Sequence, residues 1–204
     1  MDVLVVAATE AEIKPFLDLP AEQRQGVDAL ITGVGMVATA LALGERLGGT
    51  GYDLLLNVGV AGSFDRSIPL GEVVQVVTDT FSELGVEDGG RFIDSEAAGL
   101  APCTFRSDDR HAALSGLRQC RGITVNTVHG DGLSIEKVVE RLSPDVESME
   151  GAAVCLAGEH FSIPVLQVRA VSNYVERRNK AAWQLLPAID NLNQWLIAFV
   201  QNNK

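Results

Sequence analysis

A strand-length apolar run that ends in glycines occupies residues 54–62, Leu54-Leu55-Leu56-Asn57-Val58-Gly59-Val60-Ala61-Gly62. Its leucines and valines fall on successive positions, so that both faces of the strand are apolar. This pattern is typical of a strand in a parallel sheet that helices cover on both sides. Glycines at its end allow backbone N–H groups to approach another group closely. The stretch predicts a buried strand with a binding loop at its carboxyl end.

The same order, an apolar strand followed by a helical stretch, recurs along the whole chain. The predicted strands are Val3–Ala8, Ala29–Thr32, Leu54–Val60, Val73–Thr78, Ile123–Val128 and Pro164–Val171. The predicted helices are Glu10–Leu17, Met36–Leu47, Ile135–Leu142, Gly151–His160 and Ala181–Gln201. This alternation predicts an α/β fold, a three-layer α/β/α sandwich with a central mixed, mostly parallel sheet. We expect one domain over residues 1–204, with residues 82–110, rich in Gly and Asp, as a long excursion over the site.

Composition excludes several classes of partner. The chain has 204 residues, 47% of them hydrophobic, with 16 Lys+Arg against 27 Asp+Glu and a net charge of −11. That charge argues against binding to nucleic acid or to an anionic membrane surface. The three cysteines are an odd number without CxxC spacing, so we expect reduced thiols in a cytoplasmic protein. No cluster of His, Cys and acidic residues predicts a metal, and no membrane span or signal peptide is expected.

A glycine motif at residues 33–38 offers an alternative function. Gly33-Val34-Gly35-Met36-Val37-Ala38 matches the GxGxxA pattern of dinucleotide-binding folds, and Asp53 follows about 20 residues later. However, Asp53 stands at the start of the next strand, whereas an acid that binds ribose belongs at the carboxyl end. We therefore expect no nicotinamide and no other cofactor, although the glycines leave backbone N–H groups open to close approach.

Four segments carry residues suited to chemistry at strand ends or helix starts. They are Glu10-Ala11-Glu12, Gly59-Val60-Ala61-Gly62, Val146-Glu147-Ser148-Met149-Glu150-Gly151 and Arg169-Ala170-Val171-Ser172-Asn173. In this order, and along nearly the whole chain, they resemble the nucleoside phosphorylase and nucleosidase family, whose members cleave N-glycosidic bonds of purine nucleosides. The resemblance implies a small-molecule nucleoside substrate and a homo-oligomer, a dimer or larger.

The resemblance also implies roles for individual residues. Glu12 matches the carboxylate that orients and deprotonates water, and Glu150 the one that binds the ribose hydroxyls. Met149 matches the residue beneath the sugar. The simpler interpretation of both acids is a helix-start carboxylate stabilised by the helix dipole. A carboxylate beside the sugar has a chemical reason, because glycoside cleavage develops positive charge there.

Hydrolysis is favoured over phosphorolysis by two features. The acidic pair Glu10 and Glu12 would repel phosphate at close range. Val60 replaces the polar residue that many family members carry in the Gly-x-Ala-Gly loop, and its side chain cannot bind phosphate. We therefore expect water to be the nucleophile.

Asn173 indicates the base. Family members that cleave 6-aminopurine nucleosides usually carry an aspartate here, whereas an asparagine resembles those that act on 6-oxopurines. Its amide can both donate to and accept from hypoxanthine, although the simpler interpretation is an asparagine that ends a strand. Residues 172–179, 146–153 and 188–193 resemble the branch that hydrolyses an inosine-like nucleoside with a carboxyphenyl extension, a step of menaquinone biosynthesis.

The remaining expectations concern the walls of the site. Beside the three catalytic residues Glu12, Glu150 and Asn173, the predicted substrate-binding positions are Val60, Phe81, Gly132, Leu133, Met149 and Ser172. His129 receives no role, and Glu147 is interpreted as a solvated turn residue. Two alternatives stay open: a nucleosidase or phosphorylase for inosine or methylthio-nucleosides, and a purine-nucleoside sensor without turnover.

Overall fold

The computed structural model describes residues 1–49, 51–108 and 110–202. Its strands β1 to β10 are Val3–Ala7, Val27–Ile31, Leu54–Ser63, Val73–Phe81, Gly85–Asp88, Arg91–Asp94, Thr104–Arg106, Arg118–Thr124, Val146–Ser148 and Val165–Tyr174. Its helices α1 to α5 are Glu10–Leu17, Met36–Leu47, Gly132–Leu142, Gly151–Phe161 and Leu185–Asn202. No helix among these described residues is both long and apolar enough to cross a membrane.

The main sheet closes on itself through five strands. β3 pairs with β10 in parallel, β10 with β4 antiparallel, β4 with β8 in parallel, β8 with β9 in parallel, and β9 with β3 antiparallel. β1 pairs in parallel with the first residues of β3, on the edge whose last residues pair with β9. β2 pairs in parallel with β1, outside the ring. The carboxyl ends of β1, β3 and β10 therefore meet at one rim, where ligands of parallel sheets bind.

Helices cover both faces of the β1–β3–β10 part of the sheet. Alternate residues of β1 point to opposite faces, as in any strand. Val3 and Val5 join a core with helices α1 and α5, whereas Leu4 and Val6 join a second core with α2 and α4. Buried apolar surface on both faces, at about 25 cal/mol for each Å², is the main stabilising contribution to this layout.

The predicted α/β class with a mixed sheet is confirmed, but the closure of the sheet was not expected. Local periodicity identifies strands and not the long-range pairing of β9 with β3 and of β10 with β4, on which closure depends. Most predicted strand and helix boundaries also differ by a few residues, and two differ for a clear reason. The predicted strand Ile123–Val128 ends at Thr124, because the chain then leaves the sheet, and α5 begins at Leu185, so that Pro187 lies in its first turn, where proline is tolerated.

Candidate active site

A cavity of about 310 Å³ opens at the rim where β1, β3, β9 and β10 end. Its walls come from the start of α1, the end of β3, the segment after β8, the β9–α4 junction and the segment after β10. Four carboxylates line it, Glu12, Glu147, Glu150 and Glu176. Within the described ranges, no group of three or more His, Cys, Asp or Glu side chains is arranged to hold a metal ion.

Glu12 is a buried carboxylate held by three hydrogen bonds. Its Oε2 accepts from the Thr9 backbone N–H at 3.0 Å and from the Thr9 hydroxyl at 2.8 Å, and its Oε1 accepts from the Val60 N–H at 3.0 Å. Thr9 and Glu12 thus form the capping box of α1. Pro15 has no N–H to offer the preceding turn, and the backbone at Ile13 leaves helical geometry there. Glu12 is therefore both a helix-capping residue and part of the cavity wall.

Glu150 precedes α4 but does not cap it. It stands at the N-cap position without a side-chain bond to the helix, and its Oε1 accepts instead from the Gly35 N–H at 3.0 Å. Nη1 of Arg169 lies 3.9 Å from its Oε2. The glycine motif at 33–38 thus supplies a backbone donor to a carboxylate of the cavity. The simpler interpretation of Glu150, a helix-start acid, does not describe these contacts.

Arg169 places a positive charge behind the cavity. It is 1% exposed, its Nε donates to Gln167, and its Nη2 is buried without a hydrogen-bond partner among the described residues. A Cβ on Gly59 would lie 2.5 Å from its Nη1 and 2.8 Å from Oε1 of Glu12, so only glycine fits there. Burial raises the pKa of neighbouring Asp79 to about 6, against the lowering effects of the Thr124 hydrogen bond and the Arg169 charge.

Asn173 lies where β10 leaves its regular register with β3, at an irregularity between Val171 and Asn173. Its Nδ2 donates to the Tyr174 carbonyl at 3.1 Å, and its Oδ1 accepts from the Ser172 hydroxyl at 2.9 Å. An amide has two N–H donors, and an amide oxygen accepts two bonds. One donor and one acceptor site of this half-buried side chain therefore remain for a ligand in the cavity.

His129 and Glu147 form a close pair in the same wall. The Glu147 carboxylate accepts from the His129 backbone N–H at 3.0 Å, and its other oxygen lies 2.6 Å from His129 Nδ1. The Glu147 side chain is 3% exposed and that of His129 14%. The prediction of Glu147 as a solvated turn residue is wrong, because it is buried in β9 beside the cavity.

Comparison with known proteins shows the family of this chain. The model of the phosphorylase superfamily matches residues 21–199. The chain belongs to the phosphorylase superfamily. A curated futalosine hydrolase of Streptomyces coelicolor is 34% identical over 80% of this chain and 74% of the relative, and one of Thermus thermophilus is 27% identical over 90% and 85%. The 5'-methylthioadenosine/S-adenosylhomocysteine nucleosidase of Maridesulfovibrio salexigens is 24% identical over 89% and 90%.

Solved structures of the superfamily share the fold. The native futalosine hydrolase of Helicobacter pylori has a TM-score of 0.83 at 15% identity and covers 98% of this chain and 97% of that chain. The 5'-methylthioadenosine/S-adenosylhomocysteine nucleosidase of Neisseria meningitidis, in complex with methylthio-immucillin-A, has a TM-score of 0.81 at 19% identity, with 98% of each chain covered. At these identities the likeness speaks for the fold.

Six of the nine predicted superfamily site residues line the cavity, and three do not. Those in the lining are Glu12, Val60, Met149, Glu150, Ser172 and Asn173. Phe81 instead packs edge-to-face on Phe105, with ring centroids 5.6 Å apart, in the core between sheet and helices. Gly132 and Leu133 form the exposed first turn of α3, where Asp131 caps the helix. Phe81, Gly132 and Leu133 thus lie outside this cavity, and their substrate-binding role stays a prediction.

Two further expectations need correction. Glu10 is exposed, so it does not form an acidic pair inside the cavity with Glu12. The excursion at 82–110 forms a hairpin, β5–β6, and a strand, β7, that pairs with β4, and none of its described residues lines the cavity. This segment lacks helical periodicity because it forms short strands, and it does not cover the cavity.

Several lining residues were missed from the sequence. Thr9 carried a usable signal, since Thr-x-x-Glu before a helix is the capping-box pattern. Arg178 and Trp183 also line the cavity, with the guanidinium 5.8 Å from the indole ring centre. His129 had no local signal, because its partner Glu147 is 18 residues away in sequence.

Proposed function

We propose that this chain hydrolyses the N-glycosidic bond of futalosine and releases hypoxanthine and dehypoxanthine futalosine. The observation that carries the proposal is the buried Glu12 carboxylate, which shares one cavity with Glu150 and with the Asn173 amide, whose second donor and second acceptor site remain for a ligand. Curated relatives at 27% to 34% identity are futalosine hydrolases, which supports this substrate over other nucleosides.

Glu12 would activate water in this reaction. A carboxylate offers about four lone-pair sites, of which Thr9 and Val60 occupy three. One site is left to accept a hydrogen bond, and then a proton, from a water molecule in the cavity. The three fixed bonds hold the carboxylate in place, so that little reorganisation is needed when water attacks the sugar.

Glu150 and Asn173 would act on the two halves of the nucleoside. The Glu150 carboxylate would bind the ribose hydroxyls and stabilise positive charge on the sugar as the bond breaks. Asn173 would bind the 6-oxopurine through its remaining donor and acceptor. Val60, Met149 and Ser172 would contact the substrate from the same wall. This reaction requires no cofactor.

Water is the nucleophile we favour over phosphate. Among the described lining residues, four carry carboxylates, and only Arg178 carries a permanent positive charge. The Val60 N–H, which a phosphate could otherwise use, already donates to Glu12. Phosphate would therefore enter a wall of like charge, which is costly where water is partly excluded.

A second candidate is a nucleosidase for methylthio-nucleosides. Relatives at 24% and 25% identity are 5'-methylthioadenosine/S-adenosylhomocysteine nucleosidases. Asn173 disfavours it, because members of the resembled family that cleave 6-aminopurine nucleosides usually carry an aspartate at this position. A sensor without turnover is less favoured, since both cavity carboxylates of the expected chemistry are in place.

We also propose three general properties of the chain: a three-layer arrangement, a single domain and a homo-oligomer. Helices on both faces of the β1–β3–β10 part support a three-layer arrangement there, beside the closed ring. Contacts between first and last helices, α1 and α5, support one domain over the described chain. A homo-oligomer, which the family resemblance implies, can be tested by sedimentation.

The test is hypoxanthine release from futalosine, inosine and methylthioinosine, and adenine release from methylthioadenosine, in phosphate-free buffer. We expect the highest kcat/KM for futalosine. A higher kcat/KM for methylthioadenosine would favour the second candidate. Stoichiometric binding of futalosine without any base release would establish the sensor.

A further inference from the structure

We propose that His129, held by Glu147, donates the proton that the departing purine base needs. This proposal rests on the proposed nucleoside hydrolysis, and it assigns a group to a step that Asn173 cannot perform. Asn173 can hydrogen-bond to hypoxanthine, but an amide does not give up a proton near neutral pH. A histidine is the side chain best suited to do so in that range.

The sheet register places the His129–Glu147 pair beside the base-recognition residue. Gly62 of β3 pairs with Glu147 of β9 on one side and with Asn173 of β10 on the other. A Cβ on Gly62 would lie 3.1 Å from Asn173 Nδ2 and 3.6 Å from Glu147 Cγ. The two side chains therefore flank the same glycine, and the purine that Asn173 binds would lie next to the pair.

Glu147 fixes both the position and the proton arrangement of the imidazole. One carboxylate oxygen binds the His129 backbone, and the other binds the ring at Nδ1. This occupies Nδ1 and leaves Nε2 as the ring nitrogen available to a ligand in the cavity. The contact at 2.6 Å holds the ring so that Nε2 is the nitrogen that can donate to a bound base. Glu147 is thus a positioning residue.

The other titratable groups of the cavity already have different partners. Glu12 is held by Thr9 and Val60, and Glu150 by Gly35 and the Arg169 charge. The Tyr174 hydroxyl donates to the Ile68 carbonyl, Glu176 is paired with Arg66, and Arg178 keeps its proton at any working pH. Among the described lining residues, His129 is the remaining side chain of a type suited to donate a proton to the base.

The proposed step balances as follows. The C1'–N9 bond breaks, its electron pair goes to the purine, and the proton on His129 Nε2 moves to the purine, at N7 where the base is bound as proposed. Water forms the new C1'–O bond and gives its proton to Glu12. Glu12 then loses a proton to solvent and His129 regains one, so that the enzyme returns to its starting state.

The test compares leaving groups that do and do not need a proton. The first substrate is whichever nucleoside the wild type hydrolyses, and the second is p-nitrophenyl β-D-ribofuranoside, whose nitrophenolate leaves unprotonated. For His129→Gln we expect kcat for the nucleoside to fall by about 100-fold or more, and kcat for the nitrophenyl riboside to change by less than about threefold. Glu12→Gln should slow both substrates, because both need water.

Further variants separate a chemical role from a structural one. His160→Gln, the same change on the exposed face of α4, should leave both rates unchanged. The nucleoside rate of the wild type should fall at alkaline pH, as expected of a reaction that needs a protonated donor, and His129→Gln should lose this dependence. Glu147→Gln should lower the nucleoside rate and leave the nitrophenyl riboside rate within about threefold of wild type, because the imidazole loses the carboxylate that positions it at Nδ1.

Three results would overturn the proposal. They are an unchanged nucleoside rate in His129→Gln, an equal loss on both substrates, and an alkaline fall in rate that persists in the variant. If the wild type cleaves inosine but not futalosine, futalosine is rejected as the substrate, and the role of His129 can still be tested on inosine. A wild type that cleaves no nucleoside removes both.

Discussion

Replacing Glu12 by glutamine separates the two interpretations of this residue. The variant removes the negative charge but keeps the size of the side chain. If Glu12 activates water, the loss of its basic oxygen should lower kcat by about 100- to 10,000-fold, the usual contribution of a positioned general base. KM should change little, because no substrate contact is assigned to this carboxylate. If Glu12 is only a capping residue, kcat should stay close to wild type.

The cost in stability follows from the three bonds that Glu12 accepts. With the amide oxygen towards Thr9, two bonds persist and the amide NH₂ faces the Val60 N–H. With the oxygen towards Val60, the NH₂ can donate to the Thr9 hydroxyl, and the Thr9 N–H loses its partner. Either orientation leaves one partly buried N–H unsatisfied, which costs about 1–3 kcal/mol.

The assay pairs kinetics with urea unfolding, and Glu10→Gln is the matched control. Glu10 lies in the first turn of the same helix but is exposed, so its replacement should cost no more than about 1 kcal/mol and leave kcat unchanged. A Glu12→Gln variant that loses stability yet keeps kcat within about threefold of wild type would refute the catalytic role.

Three other substitutions test the surroundings of the site. Gly59→Ala forces a Cβ to within 3 Å of both Arg169 and Glu12, so we expect a loss of about 1–3 kcal/mol in the free energy of unfolding and at least a tenfold fall in kcat. Asn173→Asp should shift the ratio of kcat/KM values from 6-oxopurine towards 6-aminopurine nucleosides, measured on inosine and adenosine analogues. Asp79→Asn should change the pH dependence of stability. The pKa of Asp79 is about 6 in the folded chain against 3.8 ordinarily, so the folded state holds this proton more tightly than the unfolded chain does. The free energy of unfolding therefore falls as the pH rises and the proton is lost. The wild type should therefore lose about 2 kcal/mol relative to the variant between pH 4 and pH 7.

Each of the three substitutions has a control variant or a result that would contradict the prediction. Gly44→Ala, where a Cβ in helix α2 meets no atom within 4 Å, should not destabilise the chain. An unchanged base preference in Asn173→Asp would remove the recognition role of the amide. For Asp79, parallel stability curves of wild type and variant from pH 4 to pH 7 would contradict the raised pKa.

The strands and helices were largely visible in the sequence because burial leaves a local pattern. The helices Glu10–Leu17 and Met36–Leu47 have the predicted bounds, since a capping box and a glycine turn mark their starts. The closed ring was not visible, because the pairing of β9 with β3 joins residues more than 80 positions apart. No periodicity reports such a contact.

The site shows the same division between local and long-range information. Glu12, Glu150 and Asn173 stand in recognisable motifs, and the structure brings all three to one cavity. The sequence could not tell that Phe81 packs outside this cavity, because a residue at a strand end can point to either face of the sheet, and its face depends on register. The His129–Glu147 pair was missed because only the fold brings its members together.

Isotope incorporation tests the central claim, water attack on a purine nucleoside, most directly. Futalosine would be incubated with the wild-type chain in H₂¹⁸O that also contains phosphate, and the sugar product would be analysed by mass spectrometry. The account predicts free hypoxanthine and a sugar product that carries one ¹⁸O atom and no phosphate. A sugar 1-phosphate in place of that product, or no release of hypoxanthine, would contradict it.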